Sequence, residues 1–183
     1  RALGLLEIEL GRNTPTLLNV AYNIHFFWDG RSDSLEDQAK VPMFSKQEMN
    51  ISEGELVERL NHIPEYRKRF KEVFGGDATL ENVVKAIAAF ERTLTTGNSP
   101  FDRYLAGDKQ ALTLEQKRGL ILFTSKAACT QCHNGPNLSD NRFHNIGTRH
   151  VGPLSMDMGR YTVTQDMKDI HAFKTPGLRA SGL

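Results

Sequence analysis

Cysteine is nearly absent, with two residues in a chain of 183. Two thiols cannot supply the several cross-links of a disulfide scaffold, which excludes that class. No apolar run approaches the roughly 18 residues that a membrane-spanning helix requires. Neither sign of charge dominates: 23 basic and 22 acidic residues leave a formal charge of +1. That balance points away from nucleic acid and from anionic membrane surfaces as partners. Internal repeats and low-complexity tracts are missing as well. There is no initiator methionine and no signal-peptide pattern, so the chain reads as a mature or truncated product. What remains is 39% hydrophobic and 25% charged, the balance of an ordinary globular protein with one substantial domain or two small ones.

The punctuation predicts helices nearly throughout. Residues 1–10 suit a short helix, weakened by Gly4. Residues 11–16 read as a loop, since Pro15 pushes Thr14 to an extended backbone. Ser34 caps a short helix to Ala39, with Asp37 three residues on, and Pro42 stops it. Ser52 and Glu55 form a capping box for a helix to about Leu60. Pro64 opens the next helix, with Tyr66, Phe70, Val73 and Phe74 on one face and Gly75-Gly76 at its end. The clearest periodicity runs from Leu80 to Thr95 through Val83, Val84, Ile87, Phe90 and Leu94, stopped by Gly97. Thr113 and Gln116 cap a helix that runs into the cysteine pair. Beyond it the chain is rich in Gly, Pro and Asn, and only Arg160–Thr164 alternates as a strand would. Gly97, Pro100 and Gly107-Asp108 interrupt the helices between Asn98 and Gln110, which marks a domain boundary there.

Both cysteines sit in Cys129-Thr130-Gln131-Cys132-His133. Cys-x-x-Cys places two thiols on one short turn, where they can add across the vinyl groups of a haem, and the following histidine can bind its iron. Covalent c-type haem is therefore the leading reading. A thioredoxin-like pair would need a βαβ context, which is missing. Zinc is the sharper rival, because His144 and His150 follow with five residues between them, close to a Cys-x2-Cys…His-x5-His set. A zinc finger would need a helix before His144, and residues 134–141 are turn formers instead. The second axial ligand is open. Met156, Met158 and Met167 are available, although a methionine in a loop-rich segment is more often packing than ligand.

From Gly11 to Arg179 the order and spacing of several runs resemble the bacterial dihaem cytochrome c peroxidase family, including its relatives that oxidise tryptophans of a partner protein. These runs are Arg12-Asn13-Thr14-Pro15, Phe26-Phe27-Trp28-Asp29-Gly30-Arg31, Leu35-Glu36-Asp37-Gln38-Ala39, Glu48-Met49-Asn50 and Phe90-Glu91-Arg92-Thr93-Leu94. Ser99-Pro100-Phe101-Asp102, the haem motif, Phe143-His144-Asn145, Asp157-Met158-Gly159-Arg160 and Phe173-Lys174-Thr175-Pro176 continue the match. The resemblance implies an all-α fold of cytochrome c-like helical domains with long irregular loops. Residues 1–105 would be the remainder of an N-terminal peroxidatic domain, and 106–183 a C-terminal domain with the haem motif.

The resemblance also implies roles. The haem on Cys129, Cys132 and His133 would be the electron-entry haem, fed by a small cytochrome c or cupredoxin, with hydrogen peroxide reduced at a second haem. Trp28 resembles a tryptophan lying between the haems. Gln38 and Glu48 resemble a glutamine and a glutamate beside the peroxide site, where a carboxyl group can shift a proton between the two oxygens. Asn13 resembles a calcium ligand, an oxygen donor of the type that ion takes. His144 would support the haem surroundings, while His25, His62, His150 and His171 take no role. Periplasmic location follows from the haem chemistry of the family, and a homodimer is compatible with it.

The match departs at both ends. The family places its first Cys-x-x-Cys-His upstream of Asn13, and its distal histidine just before Arg12, where leucines and Glu7 stand here. Its distal methionine or tyrosine lies beyond Leu183. The chain is thus expected to be an internal piece of the architecture, with little peroxide reduction by these residues alone. The alternative function is a single-haem electron-transfer module.

Overall fold

The structure, a computed structural model, describes residues 2–148 and 156–179. Its described residues form seven helices and one two-stranded ribbon. The helices are α1 (Leu35–Phe44), α2 (Glu53–His62), α3 (Pro64–Phe74), α4 (Leu80–Glu91), α5 (Pro100–Leu105), α6 (Leu114–Thr124) and α7 (Tyr161–Thr164). The strands β1 (Phe143–His144) and β2 (Phe173–Lys174) pair antiparallel, with Phe143 opposite Lys174. The chain is mostly helical, as the caps predict.

The core lies between α1 and α4. Leu35, Ala39 and Met43 of α1 meet Val84 and Ala88 of α4, and Ala88 is 0% exposed. Small Ala39 and Ala88 let the two helices approach closely. Val20 and Phe26 close one end of this layer. At the other end, α2 and α3 pack Leu56, Leu60 and Phe70 against Val83 and Ala78. Asn19 ties the segment before α1 to the segment after α4. It is buried, its amide bonds Thr96 at both side-chain atoms, and its N–H donates to Leu94 O at 2.8 Å. An amide with donor and acceptor both satisfied holds its place without a burial penalty.

Several elements differ from expectation. Residues 2–10 hold only a single 3-10 turn at Leu5–Glu7, flanked by a bridge between Leu3 and Glu9, because Gly4 lies against Gln47 and Leu5 N–H donates to the Gln47 carbonyl. Helix α1 does not stop at Pro42 but runs through it to Phe44. Proline removes the bond to the carbonyl of Gln38, and burial of Met43 in the α1–α4 core outweighs that loss. Helix α4 ends at Glu91 rather than Thr95, and Phe90 turns outward. Val73 is 72% exposed, so only Phe70 and Phe74 of its expected face reach the core. The proposed boundary at 98–110 contains α5, opened by a Ser99–Asp102 capping box and tied to the C-terminal segment by the Asp102–Arg179 ion pair. Arg179 and Ser99 push the Asp102 carboxyl down to about 2. The alternation at Arg160–Thr164 belongs to helix α7.

Residues 12–31 and 157–174 are joined at one junction. Arg12 forks onto Asp157 at 2.8 and 2.6 Å and donates to Asp29 at 2.7 Å. Arg160 donates to the carbonyls of Asp29 and Gly30 at 2.8 and 2.7 Å and lies over the Phe143 ring. Gly30 has φ +68, and a side chain there would collide with Phe143 and Arg160.

Arg12 holds the half-buried Asp157 carboxyl below its usual range, chiefly through the side-chain hydrogen bonds, while burial opposes the effect. The stabilisation is complete above the unfolded carboxylate pKa near ~4 and is lost as pH falls through the lower folded value. Arg12→Ala should cost about 2–3 kcal/mol in urea unfolding at neutral pH, with the deficit narrowing in acid. An unchanged unfolding midpoint would contradict this placement of the junction.

Candidate functional site

Helix α6 delivers the cysteine motif. Thr113 and Gln116 satisfy each other's backbone N–H groups at its start. The chain then turns through Ala128, in the left-handed region at φ 56, into a 3-10 turn at Cys129–Gln131. The N–H groups of Cys132 and His133 both donate to Cys129 O, at 3.3 and 2.8 Å. This turn carries both thiols, which are free and half-buried. His133 Nδ1 donates to Leu138 O at 3.0 Å, which fixes the tautomer and leaves Nε2 as the ring's free lone pair. Helix α6 buries none of its residues, and Ile121 and Leu122 are exposed beside the motif. Two free thiols, an imidazole with Nε2 available and an uncovered apolar helix face are the donor set and packing surface that a thioether-linked haem needs. The residues present fit that group.

The zinc alternative has a partial geometric basis. Cys132, Asp140 and His144 each offer a ligand atom, all within 4.8 Å of one another. His144 Nε2 bonds Asp140 at 2.7 Å. His150 lies outside the described residues. Asp140, which no spacing rule signals, joins the cluster among the described residues. Of the methionines weighed as axial ligands, Met156 and Met167 are exposed and Met158 is half-buried.

The loop after the motif is tied into the junction. Asn137 is buried and donates to the Asn23 side chain at 3.1 Å, and Ser139 Oγ donates to Thr175 O at 2.7 Å. Lys174 N–H donates to Trp28 O at 2.8 Å. The indole of Trp28 donates from Nε1 to Asn13 O at 2.8 Å. Trp28 is thus bonded through its backbone to β2 and through its ring to the segment before α1.

A cavity of about 620 Å³ opens between α1, α4 and the 10–17 segment. That volume lies in the ordinary range for cofactor pockets, roughly 300–1,000 Å³. Asn13, Trp28, Gln38 and Glu48 all line it. Gln38 projects from α1 beside buried Ala39. Glu48 sits in the turn after α1, folded back by Met49 N–H to Pro42 O at 3.1 Å. Residues separated by 35 positions between Asn13 and Glu48 therefore meet at one wall-to-wall space. Asn13 contributes one exposed side-chain oxygen to this rim. Calcium takes six to eight oxygens, so this residue alone does not make a calcium site. Glu91 also lines the cavity and had no separate role in the sequence reading. Its signal was available, since it falls three and four residues after Ala88 and Ile87 on the apolar stripe of α4.

The sequence profile of the family "Di-haem cytochrome c peroxidase" matches residues 1–110. The methylamine utilization protein MauG of Methylorubrum extorquens is 41% identical over 181 residues, covering 98% of this chain and 51% of that protein. Cytochrome c551 peroxidase of Nitrosomonas europaea is 41% identical over 170 residues, covering 91% of this chain and 50% of that protein. Among solved structures, a MauG-like protein associated with microbial copper homeostasis superposes with a TM-score of 0.89 at 27% identity, over 100% of this chain and 59% of that one. A mostly helical fold with a Cys-x-x-Cys-His turn defines a cytochrome c-type protein. More narrowly, the chain belongs to the di-haem cytochrome c peroxidase family, and it spans about half the length of the curated relatives it matches.

Replacing both Cys129 and Cys132 with serine should abolish covalent haem. On a denaturing gel, haem should migrate with the parent chain and separate from the variant. A variant that still carried haem through denaturation would contradict attachment at this turn.

Proposed function

We propose that this chain is part of a cytochrome c peroxidase-type oxidoreductase that reduces hydrogen peroxide with electrons from a small cytochrome c or cupredoxin. The observation that carries the reading is the shared cavity: Gln38, Glu48 and Trp28 line one space of cofactor size, and Trp28 is bonded on its other side to the strand that braces the haem-motif loop. When bound at the cysteine turn, haem would supply one-electron chemistry at that end of this path.

The chain's own residues do the rest. Cys129 and Cys132 would anchor the electron-entry haem, and His133 would offer Nε2 to its iron, its ring held by the bond to Leu138 O. Trp28 bridges the anchored haem and the cavity, its indole held by Asn13 O. Gln38 orients peroxide by hydrogen bonding. Glu48 takes a proton from one peroxide oxygen and returns it to the other, which prepares a water leaving group; the two electrons that O–O cleavage takes up would be supplied by bound haem. Residues 1–105 form the peroxidatic half and 106–183 the electron-entry half, joined at the Arg12 junction. Periplasmic location fits covalent haem attachment, and no described helix is long and apolar enough to cross a membrane. Asn13 fits a calcium ligand only as one donor of a larger set.

Glu48→Gln in the full-length, haem-loaded protein should lower peroxide-dependent oxidation of a reduced donor by about 100-fold or more while leaving haem content unchanged. Haem counting accompanies the assay. A single haem with no peroxide turnover would favour the electron-transfer module, and full turnover in Glu48→Gln would contradict the role of this carboxyl group.

A further inference from the structure

Glu91 closes the last turn of α4, where the helix presents its apolar stripe to α1. It is 7% exposed, and its Oε2 is the single buried side-chain polar atom without a hydrogen-bond partner among the described residues. Buried polar atoms are seldom left so, and each exception calls for a reason. An ionised carboxylate in that position would carry a desolvation penalty that no hydrogen bond to Oε2 offsets.

The charged neighbours are engaged elsewhere. Arg92, the next residue, turns to Glu36 of α1 at 2.8 and 3.0 Å. Lys85 of the same helix pairs with Glu81. Across the cavity, Arg12 is shared between Asp29 and Asp157, and Arg31 pairs with Asp29. Burial pushes the Glu91 carboxyl above its usual range, Arg92 opposes this, and Glu36 adds to it. Glu91 also lines the cavity that holds Gln38 and Glu48.

We propose that Glu91 rests as a neutral carboxylic acid and is a second proton donor to this cavity, beside Glu48. The inference rests on the peroxidase reading above. Reducing hydrogen peroxide to two waters consumes two electrons and two protons. The electrons come from the donor protein. Glu48 only transfers a proton that peroxide already carries, which lets the first oxygen depart as water. The second oxygen still needs two protons. Glu91 gives it one, becomes a carboxylate, and is reprotonated from water through the cavity; the other proton comes from that water. A buried carboxylic acid that lines the cavity can donate without waiting for solvent.

The test is Glu91→Gln in the full-length, haem-loaded protein, which keeps shape and burial and removes the proton. Infrared difference spectra between neutral and alkaline pH should show the band of a protonated carboxylic acid that Glu91→Gln lacks. Peroxide turnover should fall about 100-fold, and the alkaline decline of the parent's pH profile should disappear. A packing role alone would leave that profile in place. Absence of the band in the parent at neutral pH, or an unchanged rate and profile in Glu91→Gln, would overturn the proposal. Should Glu91→Gln not load haem, Glu91→Asp decides: a displaced band with slower turnover supports the role, and an unmoved band with parental turnover overturns it. A parent that shows the band but reduces no peroxide would overturn the peroxidase reading and with it the proton's use, whereas a fully active parent with an indifferent Glu91→Gln would overturn this inference alone.

Discussion

Arg12 shares its guanidinium between two carboxylates from distant parts of the chain, Asp29 and Asp157. Everything that couples the cysteine turn to the cavity passes close to this fork. Asp29 follows Trp28 directly, so anchoring Asp29 also sets where the indole lies. Asp157 precedes Gly159 and Arg160, and Arg160 returns to bond the carbonyls of Asp29 and Gly30. A planar, permanently charged group with a fixed set of donors suits this task, because it satisfies both carboxylates at once and in a defined orientation. Loss of the fork would leave Asp157 without its arginine and Asp29 with Arg31 alone.

Two sites of different character are brought into register by that junction. The turn at Cys129–Gln131 is a device for holding thiols, and its supporting helix leaves an apolar flank for a prosthetic group to cover. The cavity beside α1 gathers the carboxyl and amide groups of Glu48, Glu91 and Gln38 around one space. Helix α1 contributes to both the core and the cavity, since Ala39 is buried against α4 while Gln38 faces the open space. Continuation of α1 through Pro42 matters for the same reason. It places the turn bearing Glu48 one helical turn further along, over the cavity rather than away from it.

Much of this was legible in the sequence where a local signal exists. The capping pairs Ser34–Asp37, Ser52–Glu55 and Thr113–Gln116 each open a helix as read. The cysteine turn was legible from five consecutive residues. The family resemblance set Gln38 and Glu48 beside one site and gave Trp28 and Asn13 separate roles; that all four line one cavity has no local signal, because nothing local brings a loop asparagine to a post-helix glutamate. Other features depend on contacts between distant residues. The strands β1 and β2 have two residues each, too short for any alternation to register. Pro42 reads as a stop until the burial of Met43 is known. Ser99-Pro100-x-Asp102 was a capping box hidden inside what looked like a boundary. Asp140 joins Cys132 and His144 only through the fold of a loop, and Glu91 reads as a surface acid unless its place on the α4 stripe is weighed.

The central claim is that Trp28 links the haem turn to the peroxide cavity as one electron path. The most direct measurement is the rate at which hydrogen peroxide reoxidises the reduced haem on Cys129 and Cys132, followed by stopped-flow absorbance in the parent and in Trp28→Leu at equal haem content. The account predicts reoxidation slowed by at least about 10-fold in the variant, equivalent to ~1.4 kcal/mol on the barrier. Reoxidation at the parental rate would contradict it.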